Sequence, residues 1–213
     1  MPVGSAVRSV LGRFEPAAIG LYRGMFIDLD CLAVTMLSVA PDAKRVLEIG
    51  CGDGAMAAAL RRVRPGVELV GLDPGVAEPG RMFDGDRTGV AFRTISTTDL
   101  KAEGPAPFDL VVLCDVVHHV AEPQREQVLR EAAQLTAPGG TVAVKEWEHR
   151  GGAGTMVAYC ADRWVSGDAT VRFMPAPELD GMLTRAMPGW EVTCEARIPP
   201  RRANRLITLR RPR

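Results

Sequence analysis

The segment that most constrains the fold is residues 45–54, which read RVLEIGCGDG. A short apolar run ends in three glycines at alternate positions (50, 52 and 54), and Glu48 stands two residues before the first of them. Glycine has no Cβ, so the backbone can turn sharply there and approach a ligand closely. Strong helix formers follow over residues 55–62. A buried strand, a glycine-rich turn and a helix N-terminus in this order are typical of a nucleotide-type binding site.

Apolar segments with strand character alternate with helical segments along the chain. Such a pattern predicts a parallel sheet covered by helices on both faces. The last two predicted strands are joined by a short link, which favours an antiparallel hairpin at the sheet edge. We therefore predict an α/β fold, Rossmann-like and doubly wound, whose mostly parallel seven-stranded sheet ends in an antiparallel C-terminal hairpin. The predicted strands are 45–49, 67–72, 90–95, 108–114, 141–146, 191–197 and 205–210, and the predicted helices include 55–64, 123–135 and 175–187.

The length and composition favour one domain. The chain has 213 residues, of which 46% are hydrophobic and 24% charged, and this is ordinary globular composition. We interpret residues 1–213 as one domain. Residues 5–40 read as helical, so 1–40 is interpreted as an N-terminal helical cap, and 148–174 as a lid inserted after the fifth strand.

Charge and cysteine content narrow the function classes. Lys plus Arg equals Asp plus Glu, 26 each, whereas nucleic-acid binders are usually basic. No stretch approaches the ~20 apolar residues of a membrane span, and the N-terminus shows no apolar signal core. The five cysteines form no CxxC pair, which disfavours structural zinc and disulfides. We expect a cytoplasmic monomer or homodimer with a small-molecule substrate and neither a nucleic-acid nor a membrane partner.

The glycine pattern alone fits two cofactor classes. Gly50-x-Gly52-x-x-Ala55 also satisfies the loose dinucleotide fingerprint, and Asp73 stands near the spacing of its ribose-binding acid. An NAD-dependent oxidoreductase is therefore an alternative. The position of Glu48 disfavours this alternative. A carboxylate makes no favourable interaction with a pyrophosphate, but it would attract an ammonium group of a ligand. The C-terminal hairpin also leaves no second nucleotide-binding half.

Over about residues 45–147 the chain resembles the class I S-adenosylmethionine-dependent methyltransferases that act on small molecules. The resemblance rests on the loop 46–54, on Asp73 and Asp99, on the strand 108–115 and on the LTAPGG segment at 135–140, in the family's order. It implies S-adenosyl-L-methionine as cofactor and S-adenosyl-L-homocysteine as product. The preferred reaction is O-methylation of a hydroxylated secondary metabolite. The alternatives are C- or N-methylation and a non-methylating cyclase or lyase reaction on the same fold.

The resemblance also assigns residues to the cofactor. The glycine loop would pass under its methionine part, and Glu48 would hold that loop or the ligand ammonium. Asp73 would accept both ribose hydroxyls, and Asp99 would accept from the adenine amino group with Thr98 beside the ring. In the alternative interpretation Asp73 and Asp99 only cap turns. The full predicted set is Glu48, Gly50, Cys51, Gly52, Asp73, Pro74, Thr98, Asp99 and Asp115.

Asp115, His118 and His119 follow the fourth strand. In a helical turn, residues i, i+3 and i+4 share one face, so these side chains would converge. Histidine can take a proton near neutral pH, and an acceptor hydroxyl must lose one. We therefore predict His118 and His119 as catalytic residues; alternatively they only shape the loop.

A metal is the third interpretation of this cluster. Ubiquinone-pathway O-methyltransferases carry acid-x-x-acid-His at the corresponding place, whereas this chain has Asp-x-x-His-His. Imidazole suits hard cations such as magnesium poorly, so no metal is predicted.

Residues outside the shared core are candidates for substrate contacts. Tyr22 and Met25 lie in the N-terminal region, and Trp147, Tyr159 and Arg163 follow the fifth strand. The glycines of segment 151–154 would give a lid its hinge. Alternatively, these side chains only bury helices against the sheet, and Arg163 pairs with its neighbour.

Overall fold

The computed structural model describes residue 20 and residues 23–148, 172–201 and 203–213. Its helices and strands alternate as the sequence predicts. In chain order they are α1 (Leu29–Val39), β1 (Arg45–Ile49), α2 (Ala55–Val63), β2 (Glu68–Leu72), β3 (Val90–Arg93), α3 (Thr97–Ala102), β4 (Phe108–Cys114), a 3-10 turn (Val117–His119), α4 (Glu122–Leu135), β5 (Thr136–Trp147), α5 (Ala176–Ala186), β6 (Glu191–Arg197) and β7 (Asn204–Arg210).

Seven strands form one sheet in the order β3-β2-β1-β4-β5-β7-β6. The pairs among β1 to β5 are parallel, and β7 pairs antiparallel with both β5 and β6. The predicted fold class and hairpin are confirmed. The chain moves outward from β1 to β3 and then returns to place β4 on the other side of β1. Ligands of open α/β sheets bind at such a switch point, at the carboxyl ends of the strands.

Apolar side chains cover the sheet on both faces because successive strand residues point in opposite directions. Val46 packs in a core layer with Leu32 of α1 and Leu60 of α2. The next residue, Leu47, packs in a second layer with Leu129 of α4 and Leu183 of α5. This alternation fixes the register of β1 and so the place where the glycine loop leaves the sheet. Within the described ranges, no helix has both the length and the apolar character needed to cross a bilayer.

The N-terminal region, predicted to be helical over residues 5–40, is helical over most of its described part. In its described part, α1 starts at Leu29, and the Asp28 carboxylate caps it by accepting from the amide of Cys31. Residues 23 and 24 are helical, residues 25 and 26 make a turn, and Ile27 forms a bridge with Pro200. A capping aspartate and a long-range strand contact therefore interrupt the helical region before α1. Most of residues 1–22, like 149–171 of the predicted lid, lies outside the described residues.

Two strand boundaries differ from the prediction by more than one residue. β3 ends at Arg93, two residues earlier than predicted. β5 starts at Thr136, five residues before the predicted start at 141, and so includes the PGG segment. The pairing of β4 with β5 starts at Phe108 and shifts register before Leu110. A register irregularity accommodates the proline and glycines in an extended chain.

Candidate active site

A cavity of about 660 Å³ opens at the carboxyl ends of β1, β2 and β4, and α4 forms one of its walls. It lies where the switch point of the sheet predicts a ligand. The structure brings part of the predicted cofactor and catalytic set to its wall, but not Glu48, Cys51, Gly52, Asp99 or His118. The predicted residues that line it are Gly50, Asp73, Pro74, Thr98, Asp115 and His119.

Two glycines give the loop after β1 its shape. Gly50 has a φ of 70°, and a Cβ added there would lie 2.5 Å from Cγ2 of Val116. Any side chain would therefore push the loop away from the turn after β4. Gly52 has a φ of 50° with open space around its missing Cβ, so the backbone conformation alone explains this glycine.

Asp73 links the glycine loop to the loop after β2. Its Oδ2 accepts from the amide of Gly52 at 2.9 Å, and its Oδ1 accepts from the amide of Gly75 at 2.9 Å. Each carboxylate oxygen can accept a second hydrogen bond. Asp73 therefore caps a turn, as the alternative interpretation had it, and still has acceptor capacity for a ligand in the cavity.

Glu48 lies behind the glycine loop and is only 2% exposed. Its Oε2 has no hydrogen-bond donor among the described residues. Burial raises the pKa of this carboxyl well above its usual value, and the nearby Asp53 and Asp73 add to the effect. A buried acceptor without a donor costs about 1–3 kcal/mol, so this side chain is retained at some expense to stability.

Asp99 does not reach the cavity. Its Oδ2 accepts from the hydroxyl of Ser96 at 2.6 Å and from the Ser96 amide at 3.1 Å, while the Ser96 hydroxyl accepts from the Asp99 amide. These hydrogen bonds lower the pKa of Asp99. The pair is a capping box that starts α3, and the sequence STTD already contains its signature. The structure therefore supports the turn-capping interpretation of Asp99.

The two histidines after β4 point to different places. Asp115 has a φ of 56°, and the 3-10 turn that follows replaces the predicted α-helical turn. His118 is 1% exposed, and its Nδ1 lies 2.5 Å from Oε2 of Glu146. His119 lines the cavity, and the centroids of the two rings are 4.2 Å apart. The predicted convergence is thus found without an α-helical turn, since Asp115 and His118 bring ligand atoms within 4.8 Å of each other. Of the two histidines, only His119 lies on the cavity wall.

Sequence analysis missed Glu146 and Lys145, which lie next to each other on β5. Oε1 of Glu146 accepts from the amides of Val116 and Val117, at 3.0 and 2.7 Å. The ammonium of Lys145 contacts the carboxylate of Asp115. Both β5 side chains are almost fully buried. Two charged residues inside an apolar strand are the signal that could have revealed them, because buried charges need partners.

The carboxylates of Asp115 and Glu146 and the imidazole of His118 could hold a metal, since their ligand atoms lie within 4.8 Å of one another. Glu146 already accepts two amide hydrogens and contacts His118. Asp115 already has the Lys145 ammonium as a counter-charge. These side chains therefore form a buried ion-pair network in which the lysine supplies the positive charge that a metal would otherwise supply.

Two of the predicted substrate residues can be placed. Met25 is 49% exposed. Trp147 is 8% exposed and packs against Phe173 and Phe26, with ring centroids 6.4 and 6.1 Å away. Its indole N–H has no acceptor among the described residues. The other three, Tyr22, Tyr159 and Arg163, lie outside the described residues.

Comparison with known proteins gives consistent matches. The profile of a methyltransferase domain family matches residues 29–195. A ubiquinone biosynthesis O-methyltransferase of Xanthomonas campestris pv. campestris is 34% identical over 105 residues, which are 49% of this chain and 43% of that protein. The match therefore spans less than half the length of that relative.

Solved structures share the fold. The S-adenosylmethionine-dependent methyltransferase SibL, in its apo form, superposes with a TM-score of 0.73 at 20% identity, over 100% of this chain and 62% of that one. The 1,6-didemethyltoxoflavin-N1-methyltransferase of Burkholderia thailandensis, with 1,6-didemethyltoxoflavin and S-adenosylhomocysteine bound, superposes with a TM-score of 0.65 at 18% identity. That superposition covers 98% of this chain and 88% of the other.

Proposed function

Because the chain belongs to the methyltransferase domain family, we propose that it transfers a methyl group from S-adenosylmethionine to an oxygen of a small hydroxylated metabolite. The observation that carries the proposal is the position of His119 on the same cavity wall as Gly50, Asp73 and Asp115. A proton acceptor and the predicted cofactor residues thus face one space. The similarity to a ubiquinone biosynthesis O-methyltransferase supports oxygen as the acceptor atom.

The residues of the cavity suit this cofactor, which supplies a methyl group on a positively charged sulfur when bound. Asp73 offers both carboxylate oxygens to the ribose hydroxyls. Oδ1 of Asp115, on the cavity wall, is a buried acceptor without a donor among the described residues. This carboxylate oxygen favours the positive charge of the ligand. Because Gly50 has no side chain, the backbone of the glycine loop can pack directly against Val116 on this side of the cavity.

His119 takes the proton of the acceptor hydroxyl in this proposal. The methyl transfer is a direct displacement, so positioning of the two reactants supplies much of the rate enhancement. A positioned base contributes a further factor of about 10²–10⁴. Glu146 and His118 act as positioning residues, because Glu146 fixes the turn through two amides and the ring of His118 packs at a tilt against that of His119.

We further propose that the acceptor binds near Trp147. Rings follow one another from His119 through His118 and Phe173 to Trp147, with neighbouring centroids between 4.2 and 6.4 Å apart. Of these rings His119 lines the cavity and the other three are buried, so the proposal depends on the indole of Trp147. The buried indole N–H of Trp147 would donate to a substrate oxygen, which supplies the acceptor that it lacks.

Calorimetric titration with S-adenosylmethionine, S-adenosylhomocysteine and NAD tests the cofactor assignment. We expect both adenosyl ligands to bind and NAD not to bind. Asp73→Ala removes the ribose acceptors and should weaken S-adenosylhomocysteine binding at least about tenfold. Asp84→Ala is the matched control, because Asp84 is an exposed loop aspartate. Binding of NAD without the adenosyl ligands would overturn the proposal.

A further inference from the structure

The α4 wall of the cavity contains a carboxylate that the proposed function leaves without a role. Glu131 lines the cavity and is only 4% exposed. A charged side chain buried to this extent is rare in proteins unless it is paired or bound to a ligand. None of the salt bridges among the described residues involves Glu131.

Uncharged donors hold the Glu131 carboxylate in place. Oε1 accepts from the hydroxyl of Thr98 at 2.7 Å and from the amide side chain of Gln127 at 3.1 Å. Among the described residues, Oε2 accepts only from the hydroxyl of Thr97. Since a carboxylate oxygen can accept two hydrogen bonds, Oε2 keeps capacity for one more donor.

These donors also keep Glu131 ionised. Burial acts to raise its pKa, but the hydrogen bonds from Thr97, Thr98 and Gln127 outweigh burial, and the resulting pKa lies below the usual value for a glutamate. The nearby Lys101 favours the charged form as well, although its ammonium donates to Gln134. Glu131 therefore presents a fixed negative acceptor, with no proton to donate, at the cavity wall.

Glu131 lies near the part of the cavity that would hold the adenosine end of the cofactor. Asp73, which would hold the ribose, lines the same cavity, and Ser96, Thr97 and Thr98 lie on its wall after β3. Asp99, the residue that the sequence offered for the adenine amino group, is committed to the capping box instead. Glu131, which ties α3 to α4 through its hydrogen bonds, is thus a carboxylate on the wall of this end with acceptor capacity left for a ligand.

We propose that Glu131 binds the exocyclic amino group of the cofactor's adenine and so makes the site selective for adenosyl over inosyl ligands. The adenine amino group donates to the carboxylate. Inosine has a carbonyl at that position, so two hydrogen-bond acceptors, the carbonyl and the carboxylate, would face each other. Sites that hydrogen-bond a substrate group discriminate strongly because a mismatched buried polar group is left unpaired. This inference rests on the proposed function, since it takes the cavity as the cofactor site.

Calorimetric titration with S-adenosylhomocysteine and S-inosylhomocysteine tests it. We expect the wild-type protein to bind the adenosyl compound at least about tenfold more tightly. In Glu131→Gln the side chain keeps its size but can turn its NH₂ toward a carbonyl, so the ratio should fall to within about threefold. Asp99→Asn is the matched control and should keep the wild-type ratio while lowering the melting temperature, because it weakens the α3 cap.

The outcomes separate this inference from the proposed function. Equal binding of the two ligands by the wild type overturns it, whether or not the Glu131 variant folds. A wild-type ratio in a folded Glu131→Gln also overturns it, and the carboxylate then only ties α3 to α4. In both cases S-adenosylhomocysteine still binds, so the proposed function stands. Failure of the wild type to bind S-adenosylhomocysteine overturns both.

Discussion

His118 and His119 are neighbours in sequence, but the backbone gives them different surroundings. The left-handed conformation of Asp115 and the 3-10 turn send His118 into the protein, against Glu146, and leave His119 at the cavity. Sequence analysis could name both histidines but could not choose between them, because the choice depends on φ at one residue and on a carboxylate 28 residues away.

His119→Gln tests the proposed base. We expect kcat to fall by about 10²–10⁴ on an acceptor that the wild type methylates, while the affinity for S-adenosylhomocysteine changes less than about twofold. Release of S-adenosylhomocysteine gives the rate, and Glu122→Gln, at an exposed position, is the control. Full kcat in folded His119→Gln would rule out the base.

The raised pKa of Glu48 predicts that the stability of the folded protein depends on pH. Its pKa is raised in the folded protein, so the folded state binds more protons than the unfolded state, and Glu48 lowers stability as the pH rises above its ordinary value of 4.5. Glu48→Gln should therefore raise the melting temperature of the ligand-free protein at pH 7–8 by about 2–4 °C, for a gain of ~1 kcal/mol.

Thermal unfolding between pH 5 and pH 8 measures this effect. The gain of Glu48→Gln over the wild type should shrink as the pH falls toward 5, because the raised pKa lets the folded wild type bind a proton more readily than the unfolded chain does. Glu191→Gln, at the exposed start of β6, should follow the wild type throughout. A Glu48 variant that is less stable than the wild type at pH 8 would contradict the account of this buried carboxyl.

At the scale of elements, β5 fixes the turn after β4. Glu146 accepts from two amides of this turn and contacts His118, while Lys145 contacts Asp115. The strand was predicted from its apolar residues, but its role was not, because the partners are 28–30 residues away. The LTAPGG segment shows the same limit, since pairing with Phe108 extends β5 beyond its local pattern.

Glu146→Ala should lower the free energy of unfolding by about 3–5 kcal/mol, because it removes one partner from a buried network and leaves two amides without an acceptor. Urea unfolding measures the change. Glu122→Ala, at an exposed glutamate of α4, should change stability by less than about 0.5 kcal/mol. A loss that small for Glu146→Ala would show that the turn does not depend on β5.

At the scale of the whole molecule, the order of the strands determines where the cavity lies. The alternation of apolar strand segments with helical segments predicted seven strands and the terminal hairpin, and the bounds of β1 and β4 were predicted to the residue. Asp73 could be assigned to the site because it directly follows β2. Glu131 could not, because its contacts with Thr97 and Thr98 span 33–34 residues and depend on how α3 packs against α4.

The central claim is that this cavity directs a methyl group to an oxygen of a small molecule. The most direct test is incubation of the protein with S-adenosylmethionine carrying a ¹³C-labelled methyl group and an extract of the producing cells. The account predicts that the label enters the small-molecule fraction with a ¹³C chemical shift typical of a methoxy group, and that His119→Gln greatly reduces it. Label on protein or nucleic acid, or on nitrogen or carbon of a small molecule, would contradict the account.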